Sequence, residues 1–277
     1  MLVLADARRL SFLEDQSVHL VVTSPPYGSL KRYPERAHQL GNLEKYEDFL
    51  TELDKIWAEC RRVLVPGGRI CCVVGDVCLS RRKAGRHHVL PLSADITTRA
   101  RSIGFDVLTP IIWLKVSNIS MEASKSTRFL GKPYLPNGVI KNDRETILML
   151  RKSGGYRNPT PEMEELSRIG KEEYFRWFAP VWSDVTGAST RYHPAPFPRT
   201  IADRLVRMFS FVGDTVLDPF VGTGTTVEAA VMAGRNGVGV DIEPRYLEMS
   251  SRRIGKLREV AAPTARLLER AAAYNFH

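Results

Sequence analysis

Residues 23–27 read Thr-Ser-Pro-Pro-Tyr and directly follow a β-branched run, Val18–Val22. Two successive prolines remove two backbone donors and stiffen the loop, so that its carbonyl oxygens can serve as fixed acceptors. Ser24 adds a hydroxyl group and Tyr27 adds a flat aromatic face. Acceptors beside a stacking surface suit a planar base that bears an exocyclic amine. The alternative is a turn that merely ends a strand, which seldom requires this combination of residues.

A glycine-rich turn, residues 216–226, joins a predicted strand to a predicted helix. Gly222 and Gly224 allow positive φ and a close approach of the backbone to a ligand. The first N–H groups of the helix suit a carboxylate or a phosphate. Asp218 ends the strand, at the edge where open α/β sheets bind ligands, and an acid there suits a ligand ammonium. The turn lacks the third glycine of a dinucleotide fingerprint and the lysine of a P-loop.

A second acid, Asp241, ends the next predicted strand, 23 residues after Asp218. An acid at this position commonly accepts hydrogen bonds from ribose hydroxyls. The two acids together indicate a ligand with an amino-acid end and a nucleoside end, which is the shape of S-adenosylmethionine. An ordinary strand–helix–strand turn with acidic caps is the alternative.

Alternating strands and helices must position these residues. The predicted strands are Met1–Leu4, Val18–Val22, Ile70–Val74, Val107–Leu114, Thr146–Leu150, Thr215–Leu217 and Gly237–Val240. The predicted helices are Phe49–Leu64, Ile96–Ile103, Ile201–Phe209, Thr225–Ala233 and Pro244–Lys256. This alternation predicts a mostly parallel sheet covered on both faces. Residues 116–142 and 153–198 do not follow this alternation of strands and helices. They indicate one core with a large irregular insertion.

The composition of the 277-residue chain is that of an ordinary globular protein, with 43% hydrophobic and 26% charged residues. It excludes collagen, coiled coil and bulk disorder. No apolar run reaches the roughly 18 residues of a membrane helix, and charges interrupt the N-terminal segment, so we expect a cytoplasmic protein with no membrane partner. The net charge of +9 favours a polyanionic partner, although an Arg-rich composition bias would produce the same charge.

The four cysteines do not predict a metal site. Cys71 and Cys72 are adjacent within an apolar run, and their spacing from Cys78, His87 and His88 matches no common zinc pattern. Reduced, buried thiols are the simpler interpretation, and no metal is expected.

Residues 23–27 resemble the catalytic motif of the DNA amino-methyltransferases, and residues 217–226 resemble the S-adenosylmethionine motif of that family. Residues 193–198, His-Pro-Ala-Pro-Phe-Pro, resemble the motif that precedes the cofactor motif. The catalytic motif comes first, which is the order of the β-type, permuted members that act on cytosine N4 or adenine N6. The resemblance covers residues 1–115 and 190–257.

The resemblance implies a Rossmann-like α/β fold of S-adenosylmethionine-dependent methyltransferases. It has a seven-stranded mixed sheet, a circularly permuted motif order and an inserted target-recognition region. The implied divisions are a catalytic half of the core at 1–115, an irregular insertion for target recognition at 116–192, and a cofactor-binding half with a C-terminal helix at 193–277.

The resemblance also implies S-adenosylmethionine as cofactor and direct transfer of its methyl group without a metal or a covalent intermediate. The implied catalytic residues are Ser24, Pro25, Pro26 and Tyr27. The implied cofactor-binding residues are Asp6, Thr23, Pro194, Phe197, Pro198, Asp218, Phe220, Gly222, Gly224, Thr225, Thr226 and Asp241.

Ser24 favours cytosine N4 as the target, because N4-directed members of the family usually carry Ser there and adenine-directed members usually carry Asp or Asn. Adenine N6 on the same scaffold is the alternative. Methylation of cytosine carbon 5 is disfavoured, because it requires a thiolate nucleophile, usually in Pro-Cys, and no cysteine here follows a proline. RNA methylation and a non-catalytic DNA-binding module are less favoured.

The expected partner is duplex DNA, from which the target base must be extruded before its amine is accessible. A basic run at residues 81–88 is interpreted either as a grip on phosphates or as a solvated loop. Five further basic residues fall in the predicted recognition segment, namely Lys125, Arg128, Lys132, Lys141 and Arg144. A homodimer and a cognate restriction endonuclease are expectations from the resemblance alone.

Overall fold

A computed structural model describes residues 1–27, 39–79, 81–115, 129–130, 136, 138–140, 142–187 and 197–255. Several sequence-based predictions lie outside the described residues, namely those for Pro194, Lys125, Arg128, Lys132, Lys141 and the C-terminal helix beyond residue 255. Within the described part of the chain, no helix is both long and apolar enough to cross a membrane.

Short β-strands recur along the whole described chain. They are β1 Leu2–Leu4, β2 Val18–Thr23, β3 Leu64–Val74, β4 Val77–Leu79, β5 His88–Leu90, β6 Phe105–Leu114, β7 Phe129–Leu130, β8 Val139–Ile140, β9 Arg144–Lys152, β10 Val181–Trp182, β11 Thr215–Asp218 and β12 Asn236–Asp241. Eight of them form one sheet in the order β1-β12-β11-β2-β3-β9-β6-β10. Only β9 runs against its neighbours in this sheet, so it is mixed but mostly parallel.

Helices connect the strands. They are α1 Tyr46–Val63, α2 Arg81–Ala84, α3 Leu92–Ile103, α4 Pro161–Leu166, α5 Lys171–Trp177, α6 Arg199–Phe209, α7 Thr225–Met232 and α8 at residues 244–255, with a 3-10 turn at Leu40–Asn42. The five helices predicted from hydrophobic spacing correspond to α1, α3, α6, α7 and α8, so the predicted alternation of strands and helices is confirmed.

The two faces of the sheet bury separate hydrophobic clusters. Leu53 and Trp57 of α1 pack on one face together with α3. Ile201 and Leu205 of α6 pack on the other face together with α7. Adjacent residues of β3 alternate between the clusters, as the twofold period of a strand requires. Full burial of a large apolar side chain such as Leu or Ile contributes about 1.5–3 kcal/mol to the stability of the fold.

The sheet differs from the prediction in its strand count. Seven strands were expected, and the eighth is β10, which has two residues and pairs with β6 at the sheet edge. A two-residue strand carries too little periodicity to be read from sequence. The strand β3 also starts at Leu64 rather than Ile70, because the chain continues in extended form through Pro66 and the two glycines after it.

The predicted irregular insertion at 116–192 needs correction at its C-terminal part. Residues 144–152 form β9, which lies between β3 and β6 inside the sheet, and residues 181–182 form β10. The core is therefore interrupted along the chain rather than divided into three consecutive blocks. The assignment of target recognition to this segment stays a prediction.

The sheet has a topological switch point between β2 and β11, which are hydrogen-bonded neighbours. From β2 the chain crosses through α1 to β3, whereas from β11 it crosses through α7 to β12 on the opposite side. Open α/β sheets bind ligands in the crevice outside the carboxyl ends of the strands at such a point. A ligand is therefore expected to bind at the carboxyl ends of β1, β2, β11 and β12.

Candidate functional site

The ends of β2 and β11 are tied together at the switch point. The hydroxyl of Thr23 donates a 2.6 Å hydrogen bond to Asp218 Oδ1, and the amide of Phe220 donates to the same oxygen at 3.0 Å. Thr23 is fully buried and Asp218 is 2% exposed. This bond fixes the residues that follow Thr23 relative to those that follow Asp218.

Burial also changes the acidity of Asp218. Loss of solvent around its carboxylate raises the pKa of Asp218 from an ordinary 3.8 to about 6. The carboxylate is occupied by protein donors and does not line the cavity described next. A direct bond from Asp218 to a ligand ammonium stays a prediction, and the geometry supports a role in holding the two loops.

A cavity opens at the carboxyl ends of these strands. Its walls come from the ends of β1, β2, β11 and β12, from α1 and the segment before it, and from α8. The lining residues are Ala5, Asp6, Ala7, Ser24, Pro25, Pro26, Gln39, Leu40, Ile56, Pro219, Phe220, Asp241, Ile242 and Tyr246. Of the sequence-predicted site residues, the structure thus brings together Asp6, Ser24, Pro25, Pro26, Phe220 and Asp241.

Asp241 lines this cavity and accepts hydrogen bonds from two backbone amides. Its Oδ2 accepts a hydrogen bond from the amide of Gly222 at 3.0 Å, and its Oδ1 accepts one from the amide of Glu243 at 2.9 Å. Burial raises the pKa of Asp241 from 3.8 to about 6. A carboxylate fixed in this way keeps further lone pairs for hydroxyl donors.

Asp6 also lines the cavity, two residues after the end of β1. Arg8 binds its carboxylate, with Nε at 2.9 Å from Oδ1 and Nη2 at 2.5 Å from Oδ2, and Arg8 also pairs with Glu52 of α1. These bonds raise the pKa of the Arg8 guanidinium. The network fixes the segment after β1 against α1.

The glycine-rich turn is shaped mainly by its packing against α8. Gly224 has φ +85°, and a Cβ there would come within 2.9 Å of Ser250 Cβ. Ser250 donates a 2.7 Å hydrogen bond to the Gly222 carbonyl. The backbone of Gly224 thus lies close to Ser250. Its predicted close approach to a ligand stays a prediction.

Thr225 and Thr226 of the turn bind protein groups and lie outside the cavity lining. Arg253 Nη1 donates to the Thr225 hydroxyl at 2.9 Å. The buried Thr226 hydroxyl donates to the Val22 carbonyl at 3.1 Å, which ties α7 to β2. Their assignment as cofactor ligands stays a prediction.

Phe197 and Pro198 also lie outside the cavity lining. Phe197 is 9% exposed and packs in the hydrophobic cluster with α6. Pro198 occupies the position just before α6. Their contact with a cofactor stays a prediction, as does that of Pro194.

The Ser24–Tyr27 loop leaves β2 and forms one wall of the cavity. Pro25 is buried, and Ser24 and Pro26 are half-buried. The ring of Tyr27 packs beside the core cluster of α1 and α3. Its hydroxyl lies 3.4 Å from Glu145 Oε1 and accepts from the amide of Gly75 at 3.3 Å. The stacking of Tyr27 on a target base stays a prediction.

Several site residues escaped the sequence analysis. Tyr246, Ile242, Ile56 and Gln39 line the cavity without belonging to a recognisable motif. Glu145 lies at the start of β9 beside the loop, and it pairs with Lys115 at the end of β6. Only the position of Glu145 directly before a predicted strand could have suggested it.

The basic run lies near the same edge of the sheet. It follows the carboxyl end of β3 and forms the short helix α2 within the β4–β5 hairpin. Arg81, Arg82 and Arg86 are exposed. These arginines are therefore placed where they can bind DNA phosphates beside the cavity.

The residues of the cavity fit S-adenosylmethionine. The fixed Asp241 carboxylate offers acceptors to ribose hydroxyls, and Phe220, Ile56 and Ile242 offer apolar walls to an adenine ring. The loop from Ser24 to Pro26 borders the same cavity, so a cofactor there would lie beside the predicted catalytic residues.

Comparison with known proteins gives concordant results. The profile of a family described as DNA methylase, with N6 and N4 members, matches residues 18–252. The type II methyltransferase M.MjaI of Methanocaldococcus jannaschii is 37% identical, over 92% of this chain and 90% of its own length. The type II methyltransferase M.MthZI of Methanothermobacter thermautotrophicus is 36% identical, over 88% of this chain and 73% of its own.

Solved structures show the same fold. TTHA0409 of Thermus thermophilus, a candidate DNA modification methylase crystallised with S-adenosyl-L-methionine, is 49% identical with a TM-score of 0.77, over 92% of this chain and 93% of that one. The cytosine-N4-specific PvuII DNA methyltransferase matches with a TM-score of 0.66 at 19% identity, over 91% and 85%, which shows the fold alone. The family uses S-adenosylmethionine as its cofactor. The chain described here belongs to the DNA methylase family.

Proposed function

We propose that this protein transfers a methyl group from S-adenosylmethionine to the exocyclic N4 of cytosine in duplex DNA. Membership of the family supports DNA methylation with this cofactor. The observation that carries the proposal is the shared cavity, because the loop residues Ser24, Pro25 and Pro26 line the same cavity as Asp6 and Asp241. Ser24 favours cytosine over adenine as the target.

The residues of the chain would act by binding and orientation. When bound, S-adenosylmethionine supplies an electrophilic methyl group on a sulfonium. Asp241 accepts hydrogen bonds from the ribose, and the Ser24 hydroxyl and the Pro25 carbonyl accept hydrogen bonds from the amine of the target base. These bonds draw the nitrogen lone pair out of conjugation with the ring. The amine is a weak nucleophile, so alignment supplies much of the rate.

Duplex DNA is the proposed substrate, and the target base leaves the stack before transfer. The exposed side chains of Arg81 and Arg82 in α2 and of Arg86 support contact with phosphates near the cavity. A homodimer and a cognate restriction endonuclease remain part of the proposal, in keeping with relatives named type II methyltransferases.

A transfer assay with methyl-labelled S-adenosylmethionine tests the substrate class. Unmethylated duplex DNA, the same sequence as single strand, and RNA are offered to the wild-type protein and to Asp241→Asn. We expect label in duplex DNA with the wild type and little with the variant. Label in RNA alone would replace the proposal with RNA methylation. Cofactor binding without transfer to any of them would favour a non-catalytic module.

A further inference from the structure

Three side chains of α8 lie at intervals of four and three residues, so Tyr246, Ser250 and Arg253 share one face of this helix. Tyr246 lines the cavity. Ser250 and Arg253 lie outside the cavity lining and bind the glycine-rich turn. Ser250 is fully buried there. An effect of these two residues on a ligand must therefore pass through the turn.

Arg253 binds the end of the glycine-rich turn and the start of α7. Its Nη1 donates to the Thr223 carbonyl at 3.1 Å and to the Thr225 hydroxyl at 2.9 Å. Its Nε lies 3.4 Å from Glu228 Oε2, and the side chain of Glu228 is only 12% exposed. Hydrogen bonds from a charged donor are stronger than those between neutral groups. The guanidinium is thus held by Glu228 and fixes both ends of the short segment 223–225.

Gly222 connects α8 to the carboxylate of Asp241 at the cavity. Its carbonyl accepts a 2.7 Å hydrogen bond from Ser250, and its amide donates a 3.0 Å hydrogen bond to Asp241 Oδ2. The turn also touches α8 directly, since a Cβ on Gly224 would come within 2.9 Å of Ser250. A shift of the turn away from α8 would therefore move the amide that orients Asp241.

We propose that Ser250 and Arg253 are positioning residues for S-adenosylmethionine, which hold the glycine-rich turn from α8 and thereby keep Asp241 oriented toward the ribose. The inference rests on the proposed function, in which Asp241 binds the cofactor. Without the bonds from α8, the turn occupies other positions for part of the time, and the apparent affinity falls with the fraction of molecules that can bind. Once the cofactor is bound, the turn is in place, so transfer at saturating cofactor keeps its rate.

The preceding residue of α8 offers a matched control. Arg252 pairs with Glu248 of the same helix at 2.6 Å, and its side chain is 74% exposed. Arg252→Ala removes one positive charge from α8, as Arg253→Ala does, but leaves the bonds to the glycine-rich turn in place. Arg253→Lys keeps the charge and one donor group. Ser250→Ala removes only the hydroxyl and adds no atom beside Gly224.

The test is the affinity for S-adenosylmethionine, measured by isothermal titration calorimetry without DNA. We expect Arg253→Ala to weaken binding about 10-fold, Ser250→Ala and Arg253→Lys to weaken it less, and Arg252→Ala to match the wild type. In the transfer assay the KM for the cofactor is expected to rise in parallel, while kcat at saturating cofactor stays at the wild-type value. A purely structural effect would instead lower the thermal midpoint and leave the affinity of the folded molecules unchanged.

A double-mutant cycle of Arg253→Ala and Asp241→Asn tests the path of the effect. If Arg253 acts through Asp241, its removal costs less affinity once the carboxylate is gone, so the combined loss is smaller than the product of the two single losses. Losses that multiply would show that Arg253 acts independently of Asp241 and would overturn the inference. So would a wild-type affinity in Arg253→Ala, or an equal loss in Arg252→Ala.

These results are distinguishable from a failure of the proposed function. A wild-type protein that binds S-adenosylmethionine but methylates no DNA would remove the proposed function and leave the calorimetric test intact. A wild-type affinity in Asp241→Asn would remove Asp241 from the site, and the inference with it.

Discussion

The Thr23 hydroxyl and the Asp218 carboxylate lie 2.6 Å apart, and their hydrogen bond joins two neighbouring strands across 195 residues of sequence. Thr23 is the last residue before Ser24, and Asp218 is the last residue before Pro219 and Phe220, which line the cavity. The bond therefore sets the catalytic loop against the cofactor wall. Alignment of this kind matters most where the nucleophile is weak.

Asp218→Asn tests how the buried carboxyl group of Asp218 affects the pH dependence of folding stability. Because burial raises the folded-state pKa of Asp218 above its unfolded value, the folded protein binds this proton more tightly. The resulting stabilisation is fully present below pH 3.8 and is lost as the pH rises through about 6. The difference between these two pKa values corresponds to about 3 kcal/mol in the free energy of unfolding. Asn keeps an oxygen for Thr23 and Phe220, so the variant is expected to lack this part of the pH dependence.

Urea unfolding between pH 4 and pH 7 measures this effect. Asp184→Asn is the control, because hydrogen bonds from Arg204 lower the pKa of Asp184, so that its contribution to stability changes mainly below pH 3.8 and the variant is expected to keep the wild-type difference between pH 4 and pH 7. If the free energy of unfolding differs between pH 4 and pH 7 by the same amount in Asp218→Asn as in the wild type, burial does not raise the pKa of Asp218.

Asp241→Asn is expected to weaken S-adenosylmethionine binding about 10-fold or more, because a hydrogen bond to a charged acceptor is lost. The affinity of the wild-type protein is expected to fall as the pH drops below about 6, since protonation removes acceptor capacity from Asp241. Isothermal titration calorimetry at pH 5 and pH 8 measures both effects. Asp106→Asn serves as a control, and an unchanged affinity in Asp241→Asn would remove this residue from the site.

Tyr27→Ala and Pro26→Ala are each expected to lower methyl transfer about 100-fold while leaving cofactor affinity intact. The loop supplies the acceptors and the aromatic face for the target base and does not hold Asp241. Transfer assays with calorimetry on the same preparations separate the two effects. Tyr156→Ala is a suitable control, because Tyr156 is 76% exposed and lies outside the cavity lining. Full activity in Tyr27→Ala would contradict the catalytic assignment.

Arg81→Gln and Arg82→Gln together are expected to lower the slope of DNA affinity against salt concentration by about one for each phosphate contact that is lost. Both side chains are exposed beside the carboxyl end of β3. Fluorescence anisotropy at several salt concentrations measures the slope. Arg168→Gln is the control, since Arg168 is exposed, is paired with Glu165 and lies outside the cavity lining. Equal slopes for all three proteins would identify the basic run as a solvated loop.

Much of the core could be predicted because its strands and helices are long and periodic. The spacing of Phe49, Leu53 and Trp57 predicted α1, and β-branched runs predicted seven strands of the sheet. The β4–β5 hairpin, α4, α5 and β10 were not predicted, because segments of two to seven residues carry little periodicity. Their positions depend on tertiary pairing.

The candidate site was predicted only where its residues match a recognisable motif or motif position. Ser24, Pro25 and Asp241 belong to short motifs and do line one cavity. Glu145 and Tyr246 reach the site from distant elements, so no local pattern marked them. The approach of Gly224 to a ligand stays a prediction, and its close contact with Ser250 could not be predicted because it depends on the packing of α8.

The most direct test of the central claim is mass spectrometry of nucleosides from DNA treated with the purified protein and S-adenosylmethionine. The proposed role of Ser24 and its neighbours predicts N4-methylcytosine as the product. N6-methyladenine would keep the mechanism of transfer to an amine but show that Ser24 does not select cytosine. The absence of any methylated nucleoside, in a protein that binds the cofactor, would contradict the proposed DNA methylation itself.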